Sequence, residues 1–397
     1  MNKDFVIILA PDSFKESMTA KEACEAMERG IKKVNNQITC IQVPMADGGE
    51  GTMQSLVDAT GGEIYTARVI GPLGNEVEAP YGILGDGKTG VIEMASASGL
   101  HLVRKEERNP LVTTTYGTGQ LIKACLDQGV NKLLIGIGGS ATNDGGAGVV
   151  QALGGKLLDA NGEELGFGGG ELGRLARIDL TNFDPRIKDI TIEVACDVNN
   201  PLCGERGASV VFGSQKGATP EVVELLDKNL MNYAKIIKEE LDLDLLDVPG
   251  AGAAGGLGAG LMVFLNGTLK KGIDIVIEYT LLEGKVQEAD MVWTGEGSID
   301  FQTKFGKTPF GVASVAKKYQ KPVVAIAGSI GENIDSLYEK IDSIFSIMQG
   351  VSSLEEALAN GQKNLQKTSE NAIRLLNLAR QCDQKLGDKM SSALFIN

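Results

Sequence analysis

The stretch KLLIGIGGSATNDGG, residues 132–146, joins an unbroken apolar run to a loop of glycines, hydroxyls, an amide and a carboxylate. Further short apolar runs without polar alternation recur along the chain, at residues 5–10, 40–46, 190–195, 290–295, 322–328 and 344–348. Such runs are typical of parallel strands that are buried on both faces of a sheet. Helical patterns fill the gaps between them, so the sequence predicts an α/β protein.

The first of these helical patterns begins at residue 20. Thr19 and Glu22 have the spacing of a capping box, and Ala23, Met27 and Ile31 would share one helix face. Two longer amphipathic patterns predict helices at residues 220–241 and 369–386.

Residues 63–95 interrupt the alternation of strands and helices. The segments EIYTARVI, NEVEAPYGIL and TGVIEMA are separated by glycine-containing turns, which is typical of antiparallel hairpins. We therefore predict two α/β domains. Residues 1–64 and 288–397 would form a doubly wound, flavodoxin- or Rossmann-like parallel sheet, and residues 65–287 an inserted domain with a mixed sheet.

The sequence GILGDGKT, residues 82–89, matches the phosphate-loop pattern G-x-x-x-x-G-K-[ST]. In a working phosphate loop a helix begins at the Lys-Thr pair, so that its amides face the phosphates. Here a strand pattern follows instead. We interpret Asp86-Gly87 as a hairpin turn with Lys88 at its tip.

The sequence GAGAAG, residues 250–255, matches the dinucleotide-binding pattern G-x-G-x-x-G. It follows a weak strand pattern ending in Pro249, whereas the dinucleotide fold needs a buried strand there. We interpret it as a loop that faces a substrate or phosphate. An NAD(P)-dependent dehydrogenase of a small hydroxy acid stays open as an alternative.

Composition limits the classes of function. The net charge of −14 argues against nucleic-acid binding, which requires a basic surface. The six cysteines form no C-x-x-C pair, so we expect free thiols. No apolar run reaches the roughly 18 residues of a membrane span, and no secretory signal is evident, which predicts a cytoplasmic protein without membrane contact. The single histidine, His101, is flanked by apolar residues, and we expect it to be packed rather than catalytic.

Polar loops follow most of the apolar runs. Ligands bind outside the carboxyl ends of parallel strands, so we expect these loops to meet at one ligand cleft. They carry the candidate site residues Asp12, Ser13, Lys15, Asp47, Gly48, Gly49, Glu50, Ser140, Asn143, Asp144, Asp197, Glu296, Asp300, Thr303 and Lys307.

The residue types in these loops favour phosphate chemistry. Glycine loops expose amides for phosphate oxygens, and Lys15, Lys216 and Lys307 could neutralise phosphate charge. Carboxylates without histidine or cysteine clusters suit Mg²⁺. The residues alone predict a magnesium-dependent small-molecule kinase or another enzyme with a phosphate ligand.

Several segments resemble the signature sequences of the bacterial type-I glycerate kinases, in order from about residue 5 to residue 380. They are APDSFKES, VPMADGGEGT, NPLVTTTYGTG, GIGGSATNDGGAG, ACDVNNPL, VPGAGAAGGLG, TGEGSID and GKTPFGVA. The resemblance implies ATP-dependent phosphorylation of D-glycerate, to 2-phosphoglycerate in the closest relatives. It also implies one flavodoxin-like domain and one with a restriction-endonuclease-like sheet.

On this hypothesis Asp47 and Asp197 are the catalytic base and the Mg²⁺ ligand, in an order that stays open, and Lys15 assists catalysis. D-glycerate would contact Asp12, Ser13 and the loops at residues 48–50 and 140–144, in a cleft between the domains. The nucleotide phosphates would lie near Gly252, Gly255, Gly256, Glu296, Asp300, Thr303 and Lys307. The protein could form a homo-oligomer.

Two positions depart from the family pattern. Ser298 stands where the family often has arginine, so another cation would have to replace that charge. Gln120 stands where the family has glutamate. A phosphate- or sugar-acid sensor without catalytic activity is the remaining alternative, although a sensor does not need so many acidic loops.

Overall fold

The computed structural model describes residues 5–394, with side chains described up to residue 379. The chain divides into two compact units, which we call the terminal unit (Met1–Ala46 with Ile277–Asn397) and the central unit (Asp47–Val276). Both divisions fall earlier in the chain than the domain boundaries predicted after residues 64 and 287.

The strands of the described residues are β1 (Val6–Pro11), β2 (Thr39–Gln42), β3 (Glu63–Ile70), β4 (Glu76–Ile83), β5 (Thr89–Glu93), β6 (Lys132–Gly136), β7 (Lys156–Leu158), β8 (Arg177–Asp179), β9 (Thr191–Ala195), β10 (Thr268–Lys270), β11 (Met291–Ile299), β12 (Val323–Ile330) and β13 (Ser343–Ser346). Each predicted apolar run overlaps one of these strands.

The α-helices are α1 (Ala20–Val34), α2 (Thr52–Thr60), α3 (Ala95–Ser98), α4 (Tyr116–Asp127), α5 (Ala147–Ala152), α6 (Ala208–Phe212), α7 (Pro220–Leu241), α8 (Ala253–Leu265), α9 (Gly272–Tyr279), α10 (Leu282–Glu288), α11 (Thr308–Lys318), α12 (Leu354–Ala359) and α13 (Gly361–Leu394). None of the helices within the described range is both long enough and apolar enough to cross a membrane.

The terminal unit is built on a parallel sheet with the strand order β13-β12-β11-β1-β2. Ile8 pairs with Val292 of β11 on one side and with Ile41 of β2 on the other. The chain winds outward from the β1–β11 pair in both directions, which makes that pair the switch point where ligands bind in such sheets. The predicted doubly wound α/β sheet is confirmed.

Helix α1 begins with the predicted capping box. Thr19 Oγ1 accepts the Glu22 amide at 3.2 Å, and Glu22 Oε2 accepts the Thr19 amide at 2.8 Å. The predicted face of Ala23, Met27 and Ile31 is completely buried. The capping box therefore fixes where α1 begins. The apolar face of α1 forms part of the hydrophobic core of the terminal unit.

The central unit contains a mixed sheet with the strand order β10-β9-β6-β5-β4-β3. Strands β10, β9, β6 and β5 are parallel, whereas β4 pairs antiparallel with both β5 and β3. The mixed sheet predicted from the hairpin-rich segment is confirmed.

The phosphate-loop match at residues 82–89 is a hairpin turn, as predicted. Asp86 Oδ1 accepts the amides of Lys88 and Thr89 at 2.8 and 2.9 Å, and Gly87 has φ 66°. Lys88 is exposed, and strand β5 follows it directly. Because no helix begins here, these amides do not form a phosphate cradle.

The segment before the GAGAAG sequence differs from its prediction. Residues 242–249 form no strand and instead connect α7 to the turn that precedes α8. The expected weak strand is therefore wrong, because only Leu245 of this segment is buried, whereas Leu243 and Leu246 are exposed and form no sheet face. The dinucleotide fold needs a strand at this point, so its local requirement is not met.

Candidate active site

A pocket of about 400 Å³ lies at the carboxyl ends of β6 and β9 in the central unit. We call it the aspartate pocket. Its polar lining includes Asp47, Ser140, Asp197, Gln215 and Lys216. The structure thus brings together predicted residues from three loops that lie far apart in the sequence.

The two aspartates are anchored at the same backbone position. Asp197 Oδ1 accepts the Gly272 amide at 3.1 Å. A Cβ atom on Gly48 would stand 2.6 Å from the Gly272 Cα, so the loop of Asp47 packs directly on that residue. Asp47 Oδ1 itself accepts the Gly49 amide at 3.1 Å. Only glycine allows this approach at Gly48, which has φ 94°.

The surroundings of Asp197 disfavour its charged form. Partial desolvation raises the pKa of Asp197 to about 6, the negative charge of Asp47 adds to this effect, and the hydrogen bond from Gly272 opposes it. Two carboxylates whose charges repel each other favour either a proton or a cation between them. This arrangement suits a general base or a metal ligand.

Lys216 is the buried cation of the aspartate pocket. Its side chain is 2% exposed, and Nζ donates to the Thr142 carbonyl oxygen at 2.6 Å. Burial lowers the pKa of Lys216 to about 7, and the charge of Asp144 opposes the shift. A buried ammonium is stabilised by an anionic ligand, so this position favours binding of a carboxylate or phosphate.

Asp144 is predicted as a substrate ligand, but it lies wholly inside the protein. Its carboxylate accepts hydrogen bonds from the Thr115 amide and hydroxyl, both at 2.8 Å, and from the amides of Gly146 and Gly148 at 3.2 and 3.3 Å. Burial raises its pKa, and these bonds oppose the rise. Asp144 therefore organises the loop that carries Ser140.

Asn143 is also buried, and its amide nitrogen donates to Ser209 Oγ at 2.9 Å. Its Oδ1, and Oγ1 of the neighbouring Thr142, have no hydrogen-bond partner among the described residues. Thr142 also provides the carbonyl oxygen that accepts the Lys216 ammonium, and Asn143 is the next residue in the chain. In the part of the chain that the structure describes, the two side-chain oxygens are buried acceptors without a partner, in the segment whose backbone holds the Lys216 ammonium.

The predicted phosphate-contacting glycines lie against protein backbone. A Cβ on Gly252 would stand 2.1 Å from the Pro201 carbonyl oxygen, and one on Gly255 2.0 Å from that of Thr142. Gly256 packs on Gly145 in the same way. The pocket surface here is formed by Ala253 and Ala254. Close packing of two loops is sufficient to require these glycines.

A second pocket of about 520 Å³ adjoins the first and shares Gly48, Gly49, Leu100, Gly138 and Gly139 with it. Glu50, Glu93 and His101 also line it. The expectation of a packed His101 is wrong, because its side chain is exposed. Its apolar neighbours in sequence belong to a short 3₁₀ helix that directs the imidazole outward.

The terminal unit collects the other predicted residues at its switch point. Asp12 follows β1, and its Oδ2 accepts the Thr308 hydroxyl at 2.5 Å. Glu296 in β11 accepts the Thr303 hydroxyl at 2.9 Å and pairs with Lys307 at 3.6 Å. We call this group the switch-point cluster.

The remaining predicted residues of the terminal unit lie along the same loops. Ser13 donates its amide to Asp12 Oδ1 at 2.6 Å, Lys15 is exposed, and Asp300 caps the 3₁₀ helix Phe301–Lys304. The switch point therefore gathers the acids, hydroxyls and lysines that the sequence placed after β1 and β11.

Both departures from the family pattern have a local explanation. Lys307 Nζ donates to the Ser298 carbonyl oxygen at 3.4 Å, so a cation lies beside this position. Gln120 Oε1 accepts the Ile70 amide at 2.6 Å. A glutamate carboxylate could accept the same hydrogen bond, so the glutamine side chain is sufficient for this structural contact.

The donor set fits Mg²⁺ but not a metal that needs an all-protein cage. The described residues contain no group of three or more His, Cys, Asp or Glu side chains arranged to hold a metal ion. Mg²⁺ is commonly held by one or two carboxylates together with water and substrate phosphates. Asp47 and Asp197 are two carboxylates of this kind in the aspartate pocket.

Glu93 is a pocket residue that the sequence pattern does not single out. It ends β5, which the pattern predicts only as part of a hairpin. Because β5 also pairs in parallel with β6, its carboxyl end opens at the same edge of the sheet. The strand-end rule would have found Glu93 had that parallel pairing been recognised.

Comparison with known proteins agrees with the resemblance. The family model for the glycerate kinase family matches residues 7–377. A glycerate kinase of Halalkalibacterium halodurans is 57% identical over 332 residues, which cover 84% of this chain and 87% of that protein. The glycerate 2-kinase of Escherichia coli K12 is 56% identical over 328 residues, covering 83% of this chain and 86% of that protein.

A solved structure shows the same fold. The crystal structure described as that of a glycerate kinase 2 from Salmonella typhimurium LT2 superposes with a TM-score of 0.89 at 48% identity. The match covers 96% of this chain and 100% of that one. The chain is thus an enzyme, a phosphotransferase with an alcohol acceptor, and it belongs to the glycerate kinase family.

Proposed function

We propose that this enzyme transfers the γ-phosphoryl group of ATP to the 2-hydroxyl of D-glycerate, with Mg²⁺, and that the aspartate pocket carries the reaction. The observation behind the proposal is that the pair Asp47 and Asp197 and the buried Lys216 line one pocket. The name of the Escherichia coli relative, glycerate 2-kinase, supports the position of transfer.

Lys216 is the proposed contact for the glycerate carboxylate. Its ammonium has three donor hydrogens, and the Thr142 carbonyl oxygen accepts one. A carboxylate accepting another would offset part of the desolvation that the buried ammonium suffers. The substrate hydroxyls would then point toward the aspartates across the pocket.

One aspartate is the proposed general base. The 2-hydroxyl oxygen forms a bond to the γ-phosphorus while the bond from that phosphorus to the β–γ bridging oxygen breaks. The hydroxyl proton passes to the carboxylate, and ADP leaves with the bridging oxygen. The second aspartate would hold Mg²⁺, which neutralises charge on the phosphate oxygens when it is bound.

The switch-point cluster is the proposed source of further phosphate contacts in the terminal unit. Lys307 is its cation and Thr303 supplies a hydroxyl, and Lys15 and Ser13 of the neighbouring loop would add a second cation and hydroxyl. Lys307 is within 4 Å of the Glu296 carboxylate, so its charge is already held at the end of β11. This assignment retains the phosphate role predicted for Glu296, Asp300, Thr303 and Lys307.

Phosphorus NMR of the protein with D-glycerate, ATP and Mg²⁺ tests the proposal. We expect 2-phosphoglycerate and ADP to appear together. A 3-phosphoglycerate signal would move the acceptor to the other hydroxyl. Folded protein that forms no phosphoglycerate would refute the proposed substrate, and omission of Mg²⁺ tests the metal separately.

A further inference from the structure

Helix α2 begins directly after the loop that carries Asp47, and its N-terminus has no side-chain cap of its own. The N-cap residue is Gly51, with φ 89°, and the first turn contains no acidic residue. The first amides of a helix lack partners within it, and a capping side chain usually accepts one of them. The amides that follow the Asp47 loop therefore need an acceptor from elsewhere.

Glu93 supplies that acceptor from the end of β5. Its Oε1 accepts the Met53 amide at 2.8 Å across a sequence separation of 40 residues. Burial raises the pKa of the Glu93 carboxyl, and the backbone amides of Met53, Gly51 and Thr52 oppose the rise. A negative charge at this end of a helix additionally stabilises the helix dipole. Glu93 thus ties the start of α2 to the central sheet.

The rest of the Asp47 loop is fixed by backbone packing. Gly48 lies against Gly272, and a Cβ on Gly136 of β6 would stand 3.2 Å from the Gly48 carbonyl oxygen. Asp197 is held by the same Gly272. The loop therefore has two anchors, Gly272 on the side of Asp197 and Glu93 on the side of the helix.

We propose that Glu93 is a positioning residue, which holds the Asp47 carboxylate in place relative to Asp197 by capping α2 from β5. The inference rests on the role proposed for Asp47. Glu93 acts through the backbone of residues 51–53 and makes no bond to a reacting atom. Loss of the cap would let the Asp47 loop shift while the sheet and Asp197 stay where they are.

Glu93→Gln tests this role because it keeps the side-chain shape but places an NH₂ donor among the backbone amides. We expect kcat to fall about 10- to 100-fold, since displacement of a catalytic group by about 1 Å has an effect of that order. KM for D-glycerate should stay within about two-fold, since such a displacement acts on the reacting geometry rather than on uniform binding. Amide hydrogens of residues 49–53 should exchange faster.

Asp86→Asn is the matched control. Asp86 also accepts backbone amides in the central unit, but it caps the β4–β5 turn and lines neither pocket. It should leave kcat unchanged. In the Asp47→Asn background, Glu93→Gln should reduce kcat little further, because both changes remove the same function.

Two results would overturn the inference. One is an unchanged kcat in Glu93→Gln, which together with a raised KM would make Glu93 a substrate contact. The other is full additivity with Asp47→Asn. If the wild-type protein does not phosphorylate glycerate, the proposed function fails. The exchange measurement then still decides whether Glu93 caps α2, because it does not depend on activity.

Discussion

Lys216 Nζ donates to the Thr142 carbonyl oxygen at 2.6 Å from a side chain that is only 2% exposed. This places a cation with unused donors at the wall of the aspartate pocket. Its acid–base equilibrium should therefore govern how the pocket binds an anion.

The pH dependence of KM tests this relationship. The pKa of Lys216 is lowered to about 7, so the charged form is lost as the pH rises through 7. A neutral amine pairs poorly with a carboxylate, and KM for D-glycerate should increase by up to about ten-fold per pH unit above 7. Initial rates between pH 6 and 9 at saturating ATP measure this.

Lys216→Arg is the control for that profile, because a guanidinium stays protonated in this range. Its KM, whatever its absolute value, should change little with pH. Lys216→Met should raise KM already at pH 6. A flat wild-type profile would contradict the role of Lys216 in substrate binding.

Asp47→Asn and Asp197→Asn should each reduce kcat by about 10²–10⁴-fold, the usual contribution of a general base. The melting temperature should hardly change, since an asparagine oxygen can still accept the Gly49 or Gly272 amide. Rates measured against Mg²⁺ concentration separate the two roles. If the substituted aspartate is the metal ligand, the variant should need a higher Mg²⁺ concentration for activity. If it is the base, the reduction in kcat should persist at saturating Mg²⁺. Near-normal turnover in both variants would refute both assignments.

Asp144→Ala should destabilise the protein rather than weaken substrate binding alone. Three backbone amides and one hydroxyl would lose their buried acceptor, and each unsatisfied amide costs about 1–3 kcal/mol. We expect the free energy of unfolding to fall by about 3 kcal/mol or more. Asp179→Ala, at an exposed turn where Oδ1 accepts the Thr181 amide, is the control. Normal stability with a raised KM would instead support the predicted substrate contact.

Gly255→Ala tests whether that glycine is needed for loop packing. Gly255 and Gly61 have nearly the same φ, 70° and 69°, but a Cβ would stand 2.0 Å from the Thr142 carbonyl oxygen at Gly255 and meet no atom within 4 Å at Gly61. Gly61→Ala should cost about 1–2 kcal/mol of stability from backbone strain. Gly255→Ala should cost about 1–3 kcal/mol more, measured by denaturant unfolding. Equal losses of stability in the two variants would show that the surroundings of Gly255 accommodate the added Cβ without cost.

Lys88→Ala should leave kcat and KM for ATP unchanged, because Lys88 is exposed at the β4–β5 turn. A phosphate-loop lysine would instead be essential for nucleotide binding. Steady-state kinetics with ATP as the varied substrate distinguish the two cases. An increase in KM for ATP would restore the phosphate-loop interpretation of residues 82–89.

The apolar runs, the hairpin-rich segment and the polar loops at strand ends were readable from the sequence. Each reflects the environment of one short segment, and burial on two faces selects continuous apolar residues whatever the partner strand is. The hairpin interpretation of residues 82–89 also depended only on neighbouring residues. The family signatures identified the kind of enzyme by the same local route.

The tertiary structure decided which of the polar residues face a pocket. Asp144 and Ser140 stand in one loop, yet Asp144 is enclosed by Thr115 and backbone amides while Ser140 lines the pocket. Glu93 reaches the start of α2 from 40 residues away. The sequence by itself determined the strands that the apolar runs mark, the hairpins and the family. The role of each polar side chain depends on hydrogen bonds between distant segments, which form only once the sheets bring those segments together.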